Sequence, residues 1–470
     1  MHIHLIAIGG TGMAPLACLL QAEGHRVTGS DGPLYPPMST LLAAAGIVPF
    51  EGYAAAHLDP APDLVVVGNA VPRTNPEAVA LEALGLPRLS MPEALARFFL
   101  ADRQPLVVAG THGKTTTTAL AAWVWTDCGQ APGYLVGGLP LGLPASFARG
   151  SGPRFLIEGD EYNAAYFDRG PKFLHYRPET VIFTSLELDH TDLYPDLASL
   201  RAAFAALLAL VPASGRVVAC ADDPEVRALL PAAAARVVTY GLAPGADYPL
   251  AAPPEPGPEG LRLRLVDPEA GEVELRLPLW GEHNVRNALG VWAAARGDGI
   301  SPAALAAAFA RFPGVRRRQE LVGEAAGIAV LDDFAHHPTA VGTTLAGLRT
   351  RFPGRRLWAL YEPRSLSAGR AFQHAAYREA FRQADRILLA PVFHRQRLTA
   401  EELLDLPALA AELSAAGHPC RACDSLEEIE ATIAREAQAG DVIVAMSSGS
   451  FGQLPLRLLA GLREREEARL

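Results

Sequence analysis

The segment that most constrains this chain is Gly110-Thr-His-Gly-Lys-Thr-Thr116, set between the apolar run Leu106-Val-Val-Ala109 and an alanine-rich stretch that stops at Gly129. A strand that ends on glycine and passes straight into a helix leaves the first amide N–H groups of that helix unpaired and directs its positive dipole end at one point. That arrangement is an anion site. Lys114 adds a charge suited to β- and γ-phosphates, and Thr115 offers a hydroxyl to Mg²⁺. Gly110, Thr111, His112, Gly113, Lys114, Thr115 and Thr116 are therefore candidate nucleoside triphosphate-binding residues. The loop departs from the pattern G-x-x-x-x-G-K-[ST], because Val108 stands where the first glycine would be and the loop is two residues shorter. An ordinary strand-to-helix turn needs a capping residue, but neither the lysine nor the threonine run.

Around this loop, short apolar runs alternate with helical stretches, the pattern of α/β layers. Runs at 3–8, 27–30 and 64–68, with a helical stretch at 15–23, predict a small parallel sheet. Its first turn, Gly9-Gly-Thr-Gly12, resembles a dinucleotide fingerprint, with Pro15 where the last Gly or Ala of G-x-G-x-x-G/A belongs. In the middle of the chain, 155–157 and 181–184 add strands, and 251–260, with four prolines and two glycines, reads as an excursion between hairpin strands. After Pro313-Gly314, runs at 328–331, 357–360, 387–390 and 442–446 predict another parallel sheet. At about 150 residues per domain, 470 residues predict roughly three domains, placed at 1–104, 105–313 and 314–470.

Half of the residues are hydrophobic (50%), enough for a core in each domain, and the net charge of -10 favours neither nucleic acid nor an anionic membrane as a partner. An anionic ligand must be held locally, as at the lysine loop. The longest apolar stretch, 202–213, falls short of the roughly 20 residues of a membrane span. The N-terminus lacks the basic region and cleavage site of a signal peptide, and five scattered cysteines make no disulfide framework. The expectation is a cytoplasmic protein. Pro419-Cys-Arg-Ala-Cys423 matches half of a zinc deaminase signature, but the chain contains no His-x-Glu, and no G-x-S-x-G marks a hydrolase nucleophile.

Two acidic clusters end successive predicted strands: Glu158-Gly-Asp-Glu-Tyr162 and Leu186-Glu-Leu-Asp-His-Thr-Asp192. Alone, each also reads as a solvated strand end. Beside a phosphate loop, carboxylate and imidazole at the ligand-binding edge of a parallel sheet suit a divalent ion between γ-phosphate and acceptor. Gly281-Glu-His-Asn-Val-Arg-Asn287 places His283, Asn284 and Asn287 on one face if a helix begins here, where the amides could read an adenine edge or Asn284 could cap the helix. Arg316-Arg-Arg318 precedes the polar strand end Leu331-Asp-Asp-Phe-Ala-His-His-Pro338. Those arginines either sit in solvent at a domain boundary or compensate a triphosphate.

In order, the motifs GTHGKTT, EGDEY, LELDH, GEHNxxN, RRRxE and DDFAHHP resemble the Mur ligase family across almost the whole chain. The resemblance implies an ATP-dependent amide ligase acting on UDP-N-acetylmuramic acid precursors. It implies an α/β fold of three domains: an N-terminal Rossmann-like domain for the UDP-sugar, a central P-loop-type ATPase sheet, and a C-terminal Rossmann-like domain for the incoming amine. By the same resemblance Lys114, Glu158 and His190 are catalytic, Thr115 and Glu158 hold one Mg²⁺, and Glu158 and His190 hold a second. Asn284 and Asn287 would contact adenine, Arg318 the phosphates, and Asp333 with His336 the ribose side of ATP. Gly9, Gly10, Thr11, Gly12, Ser30, Asp31 and Asn69 would bind the UDP-sugar, and Arg364 the peptide.

Two branches of the family divide the remaining motifs. Residues 9–12, Ser30-Asp31 and His336-His337 are similar to the branch that attaches L-alanine to UDP-N-acetylmuramate in new cell-wall synthesis. Tyr35-Pro-Pro-Met-Ser-Thr-Leu41, Lys172-Phe-Leu-His-Tyr176, Glu362-Pro-Arg-Ser365 and Met446-Ser-Ser-Gly-Ser-Phe-Gly452 are more similar to the branch that attaches the recovered tripeptide L-Ala-γ-D-Glu-meso-diaminopimelate. The second branch is the expected one, with an acyl-phosphate intermediate. Residues 189–204 contain no lysine, so the carbamylated lysine of several family members is not expected. A reading from another class, a nicotinamide-dependent oxidoreductase, would use residues 9–12 with Asp31 as ribose partner and leave the lysine loop without a task.

Overall fold

In the computed structural model, which describes residues 1–191 and 193–468, the lysine loop lies at the middle of an eight-stranded sheet. The buried strand Gln104–Ala109 gives way at Gly110, whose φ of 137° turns the chain, and Gly113, at φ 81°, starts the helix Lys114–Asp127. Both angles lie where a side chain is strained, which is why glycine holds both corners of the loop. Thr180–Phe183 pairs in parallel with this strand on one side and Arg154–Gly159 on the other, so that Ala109 lies opposite both Phe183 and Gly159. The tips of three neighbouring strands thus open toward one place. The sheet continues through Arg216–Cys220, Arg236–Gly241 and Tyr248–Pro249 on the first side, and Gly133–Leu135 and Phe147–Ala148 on the second.

Helices cover both faces of this sheet, as a parallel sheet with near-continuous apolar strands requires. On one face Lys114–Asp127 packs against Glu282–Gly297 and Pro302–Ala310 through a core that includes Leu120, Trp292 and Phe309. On the other, Leu197–Ala209 brings Phe204 onto Phe183, with ring centroids 5.2 Å apart. The apolar stretch near residue 202 is therefore a core helix, and no helix among the described residues is long and apolar enough to cross a membrane.

Two more α/β units flank the central one. The first has a five-stranded parallel sheet in the order Phe50–Glu51, Arg26–Asp31, His2–Ile6, Leu64–Val67, Arg88–Ser90. Its first helix is Met13–Ala22, and Pro15 fits there because a first-turn residue has no helical partner for an N–H. The C-terminal unit has six strands in the order Glu320–Ala325, Ile328–Asp333, Val442–Met446, Leu357–Tyr361, Arg386–Leu389, Cys420–Ala422, parallel except for the first pair. The excursion expected at 251–260 holds a short strand of its own, Glu255–Gly257, which adds to the hairpin Gly260–Asp267 and Gly271–Leu277.

Candidate active site

The lysine loop, the tips of its two neighbouring strands and the C-terminal unit enclose a cleft of about 760 Å³. Every residue from Thr111 to Thr116 lines it, as do Glu158, His190, Asn284, Asn287, Arg318, Asp333 and His336, while Thr11 reaches it from the N-terminal unit. Gly110 lies beneath the loop, packed so tightly on Thr184 and Ser185 that a Cβ would overlap the Thr184 hydroxyl. The Ser185 carbonyl accepts from the Thr111 amide at 2.9 Å. The phosphate loop is thereby tied to the strand that leads to His190.

The two carboxylates of EGDEY divide the electrostatics. Thr115 donates its hydroxyl to Glu158 at 3.0 Å, and the Gly137 amide donates to the other oxygen at 2.5 Å. Burial, and then the charge of Asp160, push the Glu158 carboxyl up to about 7 against those donors and Arg318. A carboxyl so short of positive charge beside a threonine hydroxyl fits a divalent cation. Glu161, which sequence reasoning passed over, takes the lysine. Lys114 Nζ donates to its two oxygens at 3.1 and 2.8 Å and to the Gly110 carbonyl at 2.7 Å. Burial alone would raise Glu161, but Lys114 and the His190 hydrogen bond hold it at about 2.

His190 stands at φ 52°, with Nε2 3.4 Å from Glu161 and 3.7 Å from Asp189, and Nδ1 3.1 Å from the Tyr162 hydroxyl. Burial lowers its pKa, but Glu161 and Asp189 outweigh burial and raise it. In this structure the imidazole therefore faces Glu161 and favours its protonated form, where the expected metal ligand would be neutral.

On the opposite wall, Asn287 lies against the loop, so that a Cβ on Gly113 would stand 2.6 Å from its amide oxygen. Asn287 donates to Asn284 at 3.3 Å, and Asn284 donates to the Trp280 carbonyl at 2.9 Å, inside the helix and not at its cap. Arg318 reaches across to the Thr115 hydroxyl at 3.2 Å and stacks over Phe334, with burial lowering its pKa. Asp333 spends both oxygens on the Gln319 and Ala335 amides, each at 2.7 Å, and on Thr344. It shapes the turn that carries Arg318 and His336. His336 donates Nδ1–H to the Phe334 carbonyl at 3.1 Å, and burial drives its pKa down to about 4, so the ring is neutral.

The residues expected to hold a UDP-sugar are less uniform. Gly10, Thr11 and Asn69 are exposed at the sheet edge. Asp31 accepts from the Gly9 amide at 2.7 Å, from Gly32 and from Tyr53. Ser30 is fully buried, and its hydroxyl donates to Glu77 at 2.5 Å. Arg364 lies outside this cleft lining, on the loop after Leu357–Tyr361, and stacks over Phe393.

A phosphate loop walled by acidic strand tips, with an α/β unit on either side, defines a nucleotide-dependent enzyme that brings groups from three units to one cleft. The comparisons with known proteins agree. Models of the Mur ligase family match three stretches: the catalytic domain at 2–103, the middle domain at 108–295 and the glutamate ligase domain at 317–449. The UDP-N-acetylmuramate–L-alanyl-γ-D-glutamyl-meso-2,6-diaminoheptandioate ligase of Escherichia coli is 38% identical over all of both chains. The UDP-N-acetylmuramate–L-alanine ligase of Leptothrix cholodnii is 34% identical over 99% of this chain and 98% of its own. The crystal structure of a murein peptide ligase from Psychrobacter arcticus is 35% identical, with TM-score 0.74, over 98% of this chain and 99% of that one. The chain belongs to the Mur ligase family, and it is an ATP-dependent amide ligase.

Proposed function

We propose that this enzyme joins the tripeptide L-Ala-γ-D-Glu-meso-diaminopimelate, through its alanine amine, to the lactyl carboxylate of UDP-N-acetylmuramate. The observation that carries the choice is the full-length identity of 38% to the Escherichia coli ligase of that name. In this reading the carboxylate attacks the γ-phosphate of ATP, forming an acyl phosphate and releasing ADP. The unprotonated amine then attacks the acyl carbon, and phosphate leaves. Loop amides and Lys114 offset the charge that would repel the incoming carboxylate, the largest obstacle to the first step.

Thr115 and Glu158 would hold a Mg²⁺ ion, which when bound neutralises phosphate charge as a Lewis acid. A second ion at Glu158 and His190 requires His190 to leave Glu161. Arg318 would face the phosphates, Asn284 and Asn287 the adenine, and His336 the ribose, with Asp333 holding the turn that presents two of them. Residues 1–104 would take the UDP-sugar, 105–313 the ATP and 314–470 the peptide, in the cytoplasm where those substrates meet. The acyl phosphate must be kept from water, so the outer units should be closed on the central one during the reaction.

Purified enzyme given ATP, Mg²⁺ and UDP-N-acetylmuramate, with either the tripeptide or L-alanine, tests this reading by product mass. The expected result is UDP-N-acetylmuramyl tripeptide with one ADP per amide. Product from L-alanine alone would replace it with the activity named for the Leptothrix relative.

A further inference from the structure

The cleft holds the groups assigned above to ATP and the acid. Beyond it, where Leu357–Tyr361 ends, Glu362 and Arg364 form a pair of opposite charge. Glu362 is 6% exposed, and Ser447 donates its hydroxyl to one carboxylate oxygen at 2.5 Å. Arg364 Nη1 is 3.4 Å from that same oxygen, a loose contact beside the arginine–carboxylate pairs at 2.5–2.8 Å elsewhere in the chain. Among the described residues Glu362 is the only carboxylate that meets Arg364.

The guanidinium is held in place by packing and not by charge. The guanidinium lies 3.8 Å from the centroid of Phe393, which is 49% exposed, and so close to Gly449 that any Cβ there would overlap it. Arg317 fixes that backbone by donating to the Ser447 and Gly449 carbonyls. A stacked, planar fork with its charge barely matched is suited to a carboxylate, and the adjacent buried carboxylate is suited to an ammonium. Ser367, farther along the same loop, accepts from the Thr191 amide at 3.4 Å, which sets this loop beside the His190 turn.

We infer that Glu362 and Arg364 together recognise a free α-amino acid group, the ammonium and carboxylate at the distal end of meso-diaminopimelate. The inference rests on the tripeptide reading above. Without substrate the two side chains meet each other weakly, and the zwitterion replaces that contact with two matched ones: Arg364 to carboxylate and Glu362 to ammonium.

Three synthetic tripeptides test it: one with meso-diaminopimelate, one with L-lysine, which lacks the distal carboxylate, and one with 2-aminopimelate, which lacks the distal amine. For the native enzyme, kcat/KM should fall roughly 10- to 100-fold with either truncated peptide, the scale of a hydrogen bond to a charged group. In Arg364→Ala the ratio of diaminopimelate to lysine peptide should collapse toward one while the aminopimelate ratio persists, and Glu362→Gln should do the reverse. A native enzyme indifferent to both truncations, or variants in which all three peptides slow in parallel, would overturn the inference. An enzyme that uses L-alanine and no tripeptide defeats instead the reading on which it rests.

Discussion

Lys114 and His190 both lean on Glu161, a side chain 2% exposed that no ligand need touch to matter. Replacing Lys114 by alanine removes the positive charge at the phosphates and should slow ligation by more than about a hundredfold, measured as ADP release. Glu161→Gln leaves the lysine without its counter-charge and should also lower the rate steeply, whereas near-native turnover would show that Lys114 is placed by the loop carbonyls alone. Stability offers a check that does not depend on activity. His283 is half-buried with its Nδ1 enclosed and unpartnered, and its pKa is driven down to about 4 by burial and then by Arg286. The unfolded chain binds that proton from about pH 6.5 downward, so stability should be lost as pH falls from about 6.5 toward 4, and His283→Gln should lessen the fall of the thermal midpoint over that window, leaving the share due to His336. EGDEY announced carboxylates at a strand end, yet which one meets the lysine depends on how the chain bends after Gly159, a property that spacing does not encode. The partner of the Ser30 hydroxyl was illegible for a similar reason: Glu77, which accepts from it, lies 47 residues away.

At the level of elements, the strand–loop–helix unit from Gln104 to Asp127 was legible because each feature is local: an apolar run, glycine at the turns and a threonine run leading into an apolar helix. The tips that flank it were legible too, since strands ending in polar clusters within a parallel sheet share one edge. The strands Phe50–Glu51 and Glu255–Gly257 were not, because two or three residues show no period and pairing alone makes them strands. The loop's geometry carries its own prediction. Gly113→Ala imposes a side chain at φ 81° and sets its Cβ 2.6 Å from the Asn287 amide oxygen. The left-handed backbone alone costs about 1–2 kcal/mol. Nucleotide affinity should fall at least tenfold with the thermal midpoint lowered, as read by calorimetry; unchanged ATP binding would mean that the loop opens easily.

Across the whole molecule, the central and C-terminal units are clasped beside the nucleotide cleft. Glu187 pairs with His112 of the lysine loop and with His337 at 3.1 Å, and accepts from Thr339, in the helix Pro338–Arg351, at 3.0 Å. Burial would raise its pKa, but the two imidazoles hold it well below the usual carboxylate range. Glu187→Gln removes the charge that joins the units and should enlarge the radius of gyration in small-angle scattering and slow turnover; a native radius would place closure elsewhere. The central claim is that this cleft brings the terminal phosphoryl group of ATP onto the lactyl carboxylate. Its most direct test uses UDP-N-acetylmuramate labelled with ¹⁸O in that carboxylate, with ATP and tripeptide. The account predicts one ¹⁸O atom in each phosphate released with the amide, and unlabelled phosphate would contradict it.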